Sequence, residues 1–203
     1  FTLNTRKMSV HTLSSISAQI AQHLGKELDE PFCRSLEDTI DSWRSTLVRR
    51  SLEAKPNESK FFRQTIYIGL EEVNPIPECV AARTPVCTEL RTSRAVPVPL
   101  RYSSQLFDYV GSIDGQTAFS ESSPGTGQYV LAGRYSGKRV LYEYNQSFIT
   151  IRNAKSLPIL RIDGIFDKPS EVLRFNCIST GCDYFNEPYP VTGDIAQAIV
   201  QYV

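Results

Sequence analysis

Between residues 139 and 166 the chain alternates apolar and polar positions with a period of two. Val140, Tyr142 and Tyr144 stand against Leu141 and Glu143. Phe148 to Ile151 alternate again, and Ile159, Arg161 and Asp163 oppose Leu160, Ile162 and Ile165. This period, rich in β-branched and aromatic residues, predicts a β-meander of three strands. Its reversals are expected at Asn145-Gln146 and between Asn153 and Leu157.

The period changes upstream. Val10, Leu13, Ile16, Ile20 and Leu24 recur every three or four residues, which predicts an amphipathic helix over 9–27, capped at Ser9 and ended near Gly25. A second helix is expected from Asp29-Glu30-Pro31 to about Ala54, stopping before Pro56. Its apolar stripe is Phe32, Leu36, Ile40, Trp43 and Leu47, which predicts Trp43 buried against the first or the terminal helix. Glu37, Asp38 and Asp41 fall in its early turns and Arg44, Arg49 and Arg50 later. That order suits the helix macrodipole, and Arg49 can pair with Glu53 at i,i+4.

A short helical turn is expected at 58–63, then a strand from Gln64 to Glu72 with Ile66, Ile68 and Leu70 on one face. Residues 74–100 carry Pro75, Pro77, Pro85, Pro97 and Pro99, a density that excludes helix and central strand and predicts a braced extended arm. A short strand over Cys87 to Thr92 fits within it. Asp114-Gly115 predicts a hairpin across 107–119, and 120–127 reads as a polar loop. A helical turn at 170–174, an irregular stretch over 176–190 and a closing helix from Asp194 complete the chain. The expected fold is α+β: an N-terminal helical hairpin, an antiparallel sheet or barrel-like meander of about seven short strands, and a C-terminal helix. The expected divisions are 1–63 helical, 64–166 the β domain with its proline-rich arm, and 167–203 an irregular segment with a helix packing back on the first region.

Composition narrows the function. Lys plus Arg and Asp plus Glu both number 22, so the net charge is zero, which argues against binding nucleic acid through bulk electrostatics. No apolar run approaches the roughly 18 residues of a membrane span, and no signal-peptide pattern stands at the start. The sequence begins at Phe1, with Met8 a candidate initiator, and Val203 falls within an apparent helix, so the natural chain is expected to extend further. Cys33, Cys79, Cys87, Cys177 and Cys182 are expected as reduced thiols. The gaps of Cys79-x7-Cys87 and Cys177-x4-Cys182 are poor for zinc, so no metal is expected.

No catalytic constellation emerges. Gly133-Arg134-Tyr135-Ser136-Gly137-Lys138-Arg139 approaches a phosphate loop, but it is one residue short between the glycines and has Arg139 where Ser or Thr must bind magnesium. Asp114, Asp163 and Asp167 are candidate paired carboxylates, each explicable as a turn or cap residue. His11 and His23 lie twelve residues apart, about 120° around a helix, and cannot share a metal on one face. A non-enzyme without cofactor is expected.

The order of IDSWRSTLVRR, the strand from Gln64, the cysteine-containing arm ending in ELRTSRAVPVPL, YVGSIDGQTAF, YEYNQSFITIRN, IDGIFDKPSEV and a closing Pro-Val-x-x-Asp-Ile is similar to one phage family. It resembles the ring, or head-to-tail connector, proteins of crAss-like podoviruses infecting Bacteroidetes. The resemblance runs from about Glu37 to Val203. It implies a structural subunit of a twelve-fold homo-oligomeric ring in the virion neck, assembled in the host bacterial cytoplasm. The implied partners are the portal protein and other neck or tail rings, with DNA passing through the channel without sequence-specific binding and no membrane. It implies no catalytic residues.

A ring subunit needs two complementary, heterologous faces. The sheet around Tyr142, Tyr144, Phe148 and Ile151 is expected to supply lateral contact, and the Arg49-Arg50 end of the second helix to face the portal or another ring. The alternative is a carbohydrate- or receptor-binding β-module of a virion or cell surface, which the ten tyrosines permit.

Overall fold

A computed structural model of the chain describes residues 11–73, 89–122, 139–152, 154, 157–177 and 182–203. It is α+β, with helices at both ends of the chain and seven described strands in a nearly closed, barrel-like sheet. Two compact units are present, and the chain passes between them four times. The helical unit holds residues 1–64, 99–106 and 165–203, and the β unit holds 65–98 and 107–164.

In the helical unit, α1 spans Leu13–Leu24 and α2 spans Glu30–Ala54. The Ser9 cap expected for α1 lies outside the described residues. Thr12 caps the helix instead, in a reciprocal box with Ser15, and Gly25 ends it in the left-handed conformation at φ 63°. Asp29 caps α2 by accepting the Phe32 N–H at 2.8 Å. Its end is set by the 3₁₀ turn Pro56–Phe61. Later come α3 (Pro169–Asn176), a 3₁₀ turn at Tyr184–Asn186 and α4 (Gly193–Tyr202), which packs on α1 and α2. The core joins Leu13, Ile16 and Ile20 to Leu36, Ile40, Val48 and Leu52, with Ile195 and Ile199 from α4.

Residues 99–106, which sequence alone placed within the β domain, belong to the helical unit. Leu100 is buried in its core, and its N–H donates to the Ile165 carbonyl at 2.7 Å, beside a bridge between Pro99 and Phe166. A second departure lies in α2. The buried arc holds Leu36, Glu37, Ile40, Asp41, Arg44, Ser45, Val48 and Leu52, while Phe32, Trp43 and Leu47 are only partly buried. The inward face is therefore turned by about 100° from the middle of the apolar stripe, at 100° per residue. Trp43 does meet the terminal helix, stacking on Tyr202 with ring centroids 4.9 Å apart, but at the margin of the core.

The β unit contains β1 (Gln64–Val73, its first residue assigned to the helical unit), β2 (Glu89–Thr92), β3 (Tyr109–Gly111), β4 (Ser120–Glu121), β5 (Leu141–Asn145), β6 (Phe148–Arg152) and β7 (Ile159–Gly164). Their spatial order is β3-β7-β1-β2-β6-β5-β4. β5 and β6 form the expected hairpin, with Tyr142 opposite Ile151 and Tyr144 opposite Ile149. Its turn sits one residue later than expected, at Gln146 and Ser147, both at positive φ. The expected three-strand meander does not form. β6 pairs on its other side with β2, while β7 lies between β3 and β1. Alternation tells a strand which face to bury, but not which neighbour to take.

β4 corrects two further expectations. Ser120 and Glu121 are a strand, not loop, and they pair parallel to β5, so the sheet is mixed. Residues 123–127 of the expected loop lie outside the described residues, as do most of the second reversal and the arm through residue 88. The turn at Asp114-Gly115 is present, with Asp114 accepting from the Gln116 N–H and the Ser112 hydroxyl, and Gly115 at φ 75°. Beyond it a bridge joins Gly111 to Ala118, and the Phe119 N–H donates to the Val110 carbonyl at 2.7 Å. This hairpin links the β3 edge to the β4 edge and closes most of the barrel. A Cβ at Gly111 would strike the Thr117 carbonyl, so a side chain there is incompatible with closure.

Candidate functional site

The most elaborated side-chain arrangement is the charged row of α2. Glu37, Asp41 and Arg44 follow one another by four and three residues and are 2%, 0% and 0% exposed. Arg44 donates to three carbonyls: Phe166 at 2.8 Å, Phe62 at 3.3 Å, and Pro190 from both Nε and Nη2 at 3.3 Å. One guanidinium thereby ties together the end of the 3₁₀ turn, the chain's return from the β unit, and the approach to α4. Asp41 accepts from the Ser170 and Tyr189 hydroxyls, each at 2.5 Å. Glu37 accepts from Arg174 at 2.5 Å and from the Tyr184 hydroxyl at 3.3 Å. Ser45 extends the row by donating to the Asp167 carbonyl.

Burial pulls the Arg44 guanidinium below its ordinary value, opposed by Tyr189, Asp41 and Asp167. A guanidinium is not deprotonated in proteins, so Arg44 stays charged. Burial raises Asp41 above the ordinary carboxylate value, opposed by the Ser170 and Tyr189 hydrogen bonds and by Arg44. Burial, with the Asp41 carboxylate beside it, pushes Tyr189 well above the usual phenol range, so it stays protonated and donates. Residues 182–191 thus form a strap fastened to α2 at three levels: Tyr184 on Glu37, Tyr189 on Asp41, and the Pro190 carbonyl on Arg44. On the far side of the strap, the Tyr189 N–H donates to the His11 carbonyl at 2.7 Å.

Sequence reasoning assigned these charges to the macrodipole and missed their partners. A signal was present: Glu37, Asp41, Arg44 and Val48 share one helical face at spacings of four, three and four. The partners lie up to 148 residues away, and no local pattern names them.

The proposed contact residues fall into two groups. Arg49 and Arg50 are exposed, and the i,i+4 pair with Glu53 is not made. Tyr144 and Phe148 are half-buried. Tyr142 and Ile151, by contrast, are buried in the β unit, on strand faces that alternate inward, so their side chains are not free to meet a neighbour. Burial and Glu121 raise the Tyr142 phenol well above its ordinary value. The Phe107 ring packs edge-on to Tyr144 at 5.3 Å.

On the outer face of β2, β6 and β5 lies a cleft of about 630 Å³, lined by Glu89, Arg91, Glu143, Asn145, Phe148 and Arg152 among others. Arg152 bridges Glu89 and Glu143 at 3.5 and 3.4 Å, and Arg91 covers the Phe148 ring at 4.7 Å. A second cleft, of about 540 Å³, lies in the helical unit between the start of α2, α3 and the Tyr184 turn. Its lining includes Cys33, Glu37, Asp38, Arg174 and Tyr184.

The candidate carboxylates do not gather. Asp114 serves its turn. Asp163 accepts from Thr65 at 2.8 Å and takes both Nε and Nη2 of Arg161, while the Asp167 carbonyl receives Ser45. His11 precedes α1 and His23 is exposed on its last turn. The phosphate-loop-like stretch lies outside the described residues apart from Arg139. Among the described residues no group of three or more His, Cys, Asp or Glu could hold a metal, and no helix is long and apolar enough to cross a membrane. The expectation of reduced thiols fails at one pair. Cys177 and Cys182 form a disulfide, Cys33 is a free thiol, and Cys79 and Cys87 lie outside the described residues.

No protein-family model matches the chain, and no curated protein is significantly similar to it.

Proposed function

We propose that this protein is a non-enzymatic subunit of an oligomeric ring in the neck of a short-tailed phage, joining portal to tail. The observation that carries the reading is the use to which the motifs behind the resemblance are put. Within IDSWRSTLVRR, Asp41 and Arg44 hold the strap and the carbonyls of Phe62 and Phe166. Within IDGIF, Asp163 holds Thr65 and Arg161, and Phe166 offers its carbonyl to Arg44. Motifs whose charged residues serve internal architecture suit a family bound together by shape. Arg49 and Arg50, left exposed at the far end of the same motif, are the residues available for a neighbour's acidic surface.

Zero net charge suits the role twice. Subunits of one sign would repel on close packing, and a strongly basic channel would hold the phosphate backbone and slow the passage of DNA. Lateral contact then falls to outward-facing, half-buried positions such as Phe148, not to Tyr142 and Ile151, nor to Tyr144, which shares their inward face. Each subunit is expected to bury well over ~1,000 Å² against its neighbours.

Deleting the gene from the phage tests the proposal. Portal-bearing heads that leak DNA or lack tails are expected, and normal particles with full infectivity would end it. The second reading, a carbohydrate- or receptor-binding β-module, draws on the outer cleft, where an aromatic ring stands beside amides and carboxylates. Native mass spectrometry separates the two: a ring of many copies favours the connector, and a monomer that binds glycans favours the module.

A further inference from the structure

The strap over α2 begins at a covalent link. Cys177 directly follows α3, three residues after Arg174, and Cys182 stands two residues before Tyr184. The disulfide therefore joins the backbone carrying Arg174 to the backbone carrying Tyr184, and these are the two residues that cover Glu37. The Arg174 guanidinium also lies over the Tyr184 ring at 5.2 Å, and that ring touches Phe185. Cys182 is exposed and Cys177 half-buried, so a small reductant can reach the bond.

We propose that the Cys177–Cys182 disulfide is a redox latch, opened by a low-molecular-weight thiol, that controls whether the Tyr184–Asn186 turn covers Glu37 and the cleft beside it. The thiolate attacks the Sγ of Cys182, the more exposed of the two residues, forming a mixed disulfide and releasing Cys177 as the leaving thiolate. A second thiol then attacks the mixed disulfide. Two thiols become one small-molecule disulfide, and the protein gains two electrons and two protons as Cys177 and Cys182 become thiols.

Two features make the opening local. The turn itself is short, held by the Asn186 and Glu187 N–H groups donating to the Asp183 and Tyr184 carbonyls. Its side-chain hydrogen bond to α2 is the 3.3 Å bond from Tyr184 to Glu37, and Tyr184 and Phe185, both half-buried, pack at the margin of the core. Further along, Tyr189 is anchored through a buried hydroxyl on Asp41 and a backbone bond to His11, and Arg44 grips the Pro190 carbonyl. Losing the cross-link restores chain entropy to residues near 182 while these anchors hold the remainder. Cys33 lines the same cleft as Tyr184 and Phe185, so opening exposes its thiol more fully. The proposal does not depend on the ring reading.

Hydrogen exchange of the purified full chain, before and after reduction, tests it. Reduction is expected to speed exchange at Phe185, Asn186 and Glu187 at least about tenfold, the scale set by releasing a short loop. Tyr189, Ile40 and the β6 amides should be unchanged. The Cys177→Ser/Cys182→Ser variant should behave as the reduced chain, with faster maleimide labelling of Cys33 than in the oxidised protein. Equal exchange in both states would overturn the latch. So would loss of protection throughout α2, which would make the bond a staple of the whole unit. Alkylation of Cys177 and Cys182 without prior reduction would overturn it as well.

Discussion

The two units differ in where most of their structural charge pairs lie. In the helical unit, Glu37, Asp41 and Arg44 are buried and read groups 18 to 148 residues distant. In the β unit, Arg152, Glu89, Glu143, Arg91 and Glu71 lie partly exposed on strand faces, at 3.4 to 3.5 Å from their partners. Exposed cross-strand pairs contribute about 0–1 kcal/mol each. A buried charge is costly to desolvate and still costlier to leave unpartnered, so it tolerates few alternative chain paths. The helical unit, assembled from three separated segments, uses that intolerance to select one path. The β unit buries Asp163 against Thr65 and Arg161, and otherwise relies on backbone ladders and an apolar interior.

The sharpest way to break this comparison is Arg44→Met. It keeps most of the volume but strands three carbonyls and leaves Asp41 without its compensating charge, at an expected cost of roughly 3–5 kcal/mol. Helical circular dichroism and exchange protection in α2 and α4 should fall in denaturant before those of β5 and β6. If both units instead keep the parent's midpoint, the charged row is dispensable. Trp43→Ala comes next. A fully buried Trp would cost about 3–5 kcal/mol, but this ring lies at the core margin on a Tyr202 that is 60% exposed, so about 2–3 kcal/mol is expected. A loss at the upper end in chemical denaturation would mean the ring is buried more deeply than its stacking indicates.

In the β unit, Gly111→Ala should cost about 1–3 kcal/mol through overpacking against the Thr117 carbonyl. The Phe119 amide should lose protection first, since it closes the barrel beside that glycine, and unchanged exchange there would argue against this closure. Asp41→Asn addresses pH. Because burial raises the folded-state value of Asp41, folding favours its protonated form. That contribution is fully present below the ordinary value near 3.8 and is lost as pH rises through the raised folded value. The stability of the parent relative to the variant should therefore increase on acidification from neutral pH, as read by denaturant midpoints. The opposite slope would place the carboxylate in a charge-favouring site. The smallest change is Arg152→Ala, at about 0–1 kcal/mol and diminishing in salt. A larger cost would mean that the outer cleft supports the fold after all.

The sequence by itself determined the local structure. The periods of α1 and α2, the cap at Asp29, the stop before Pro56, the turn at Asp114-Gly115 and the β5–β6 hairpin depend on residues within a few positions of each other, where steric and hydrogen-bonding preferences act directly. Only the tertiary structure decided the rest. β7 chose β3 and β1 over β6, Pro99 and Leu100 left the sheet for the helical core, and α2 turned its charged row inward. Each outcome was set by partners far along the chain, because an unpaired strand edge or a carboxylate in a low-dielectric interior is satisfied by whichever group the fold delivers. The candidate site was least legible for that reason. Glu37, Asp41 and Arg44 have the appearance of ordinary surface charges until Tyr184, Tyr189 and the Pro190 carbonyl arrive to meet them.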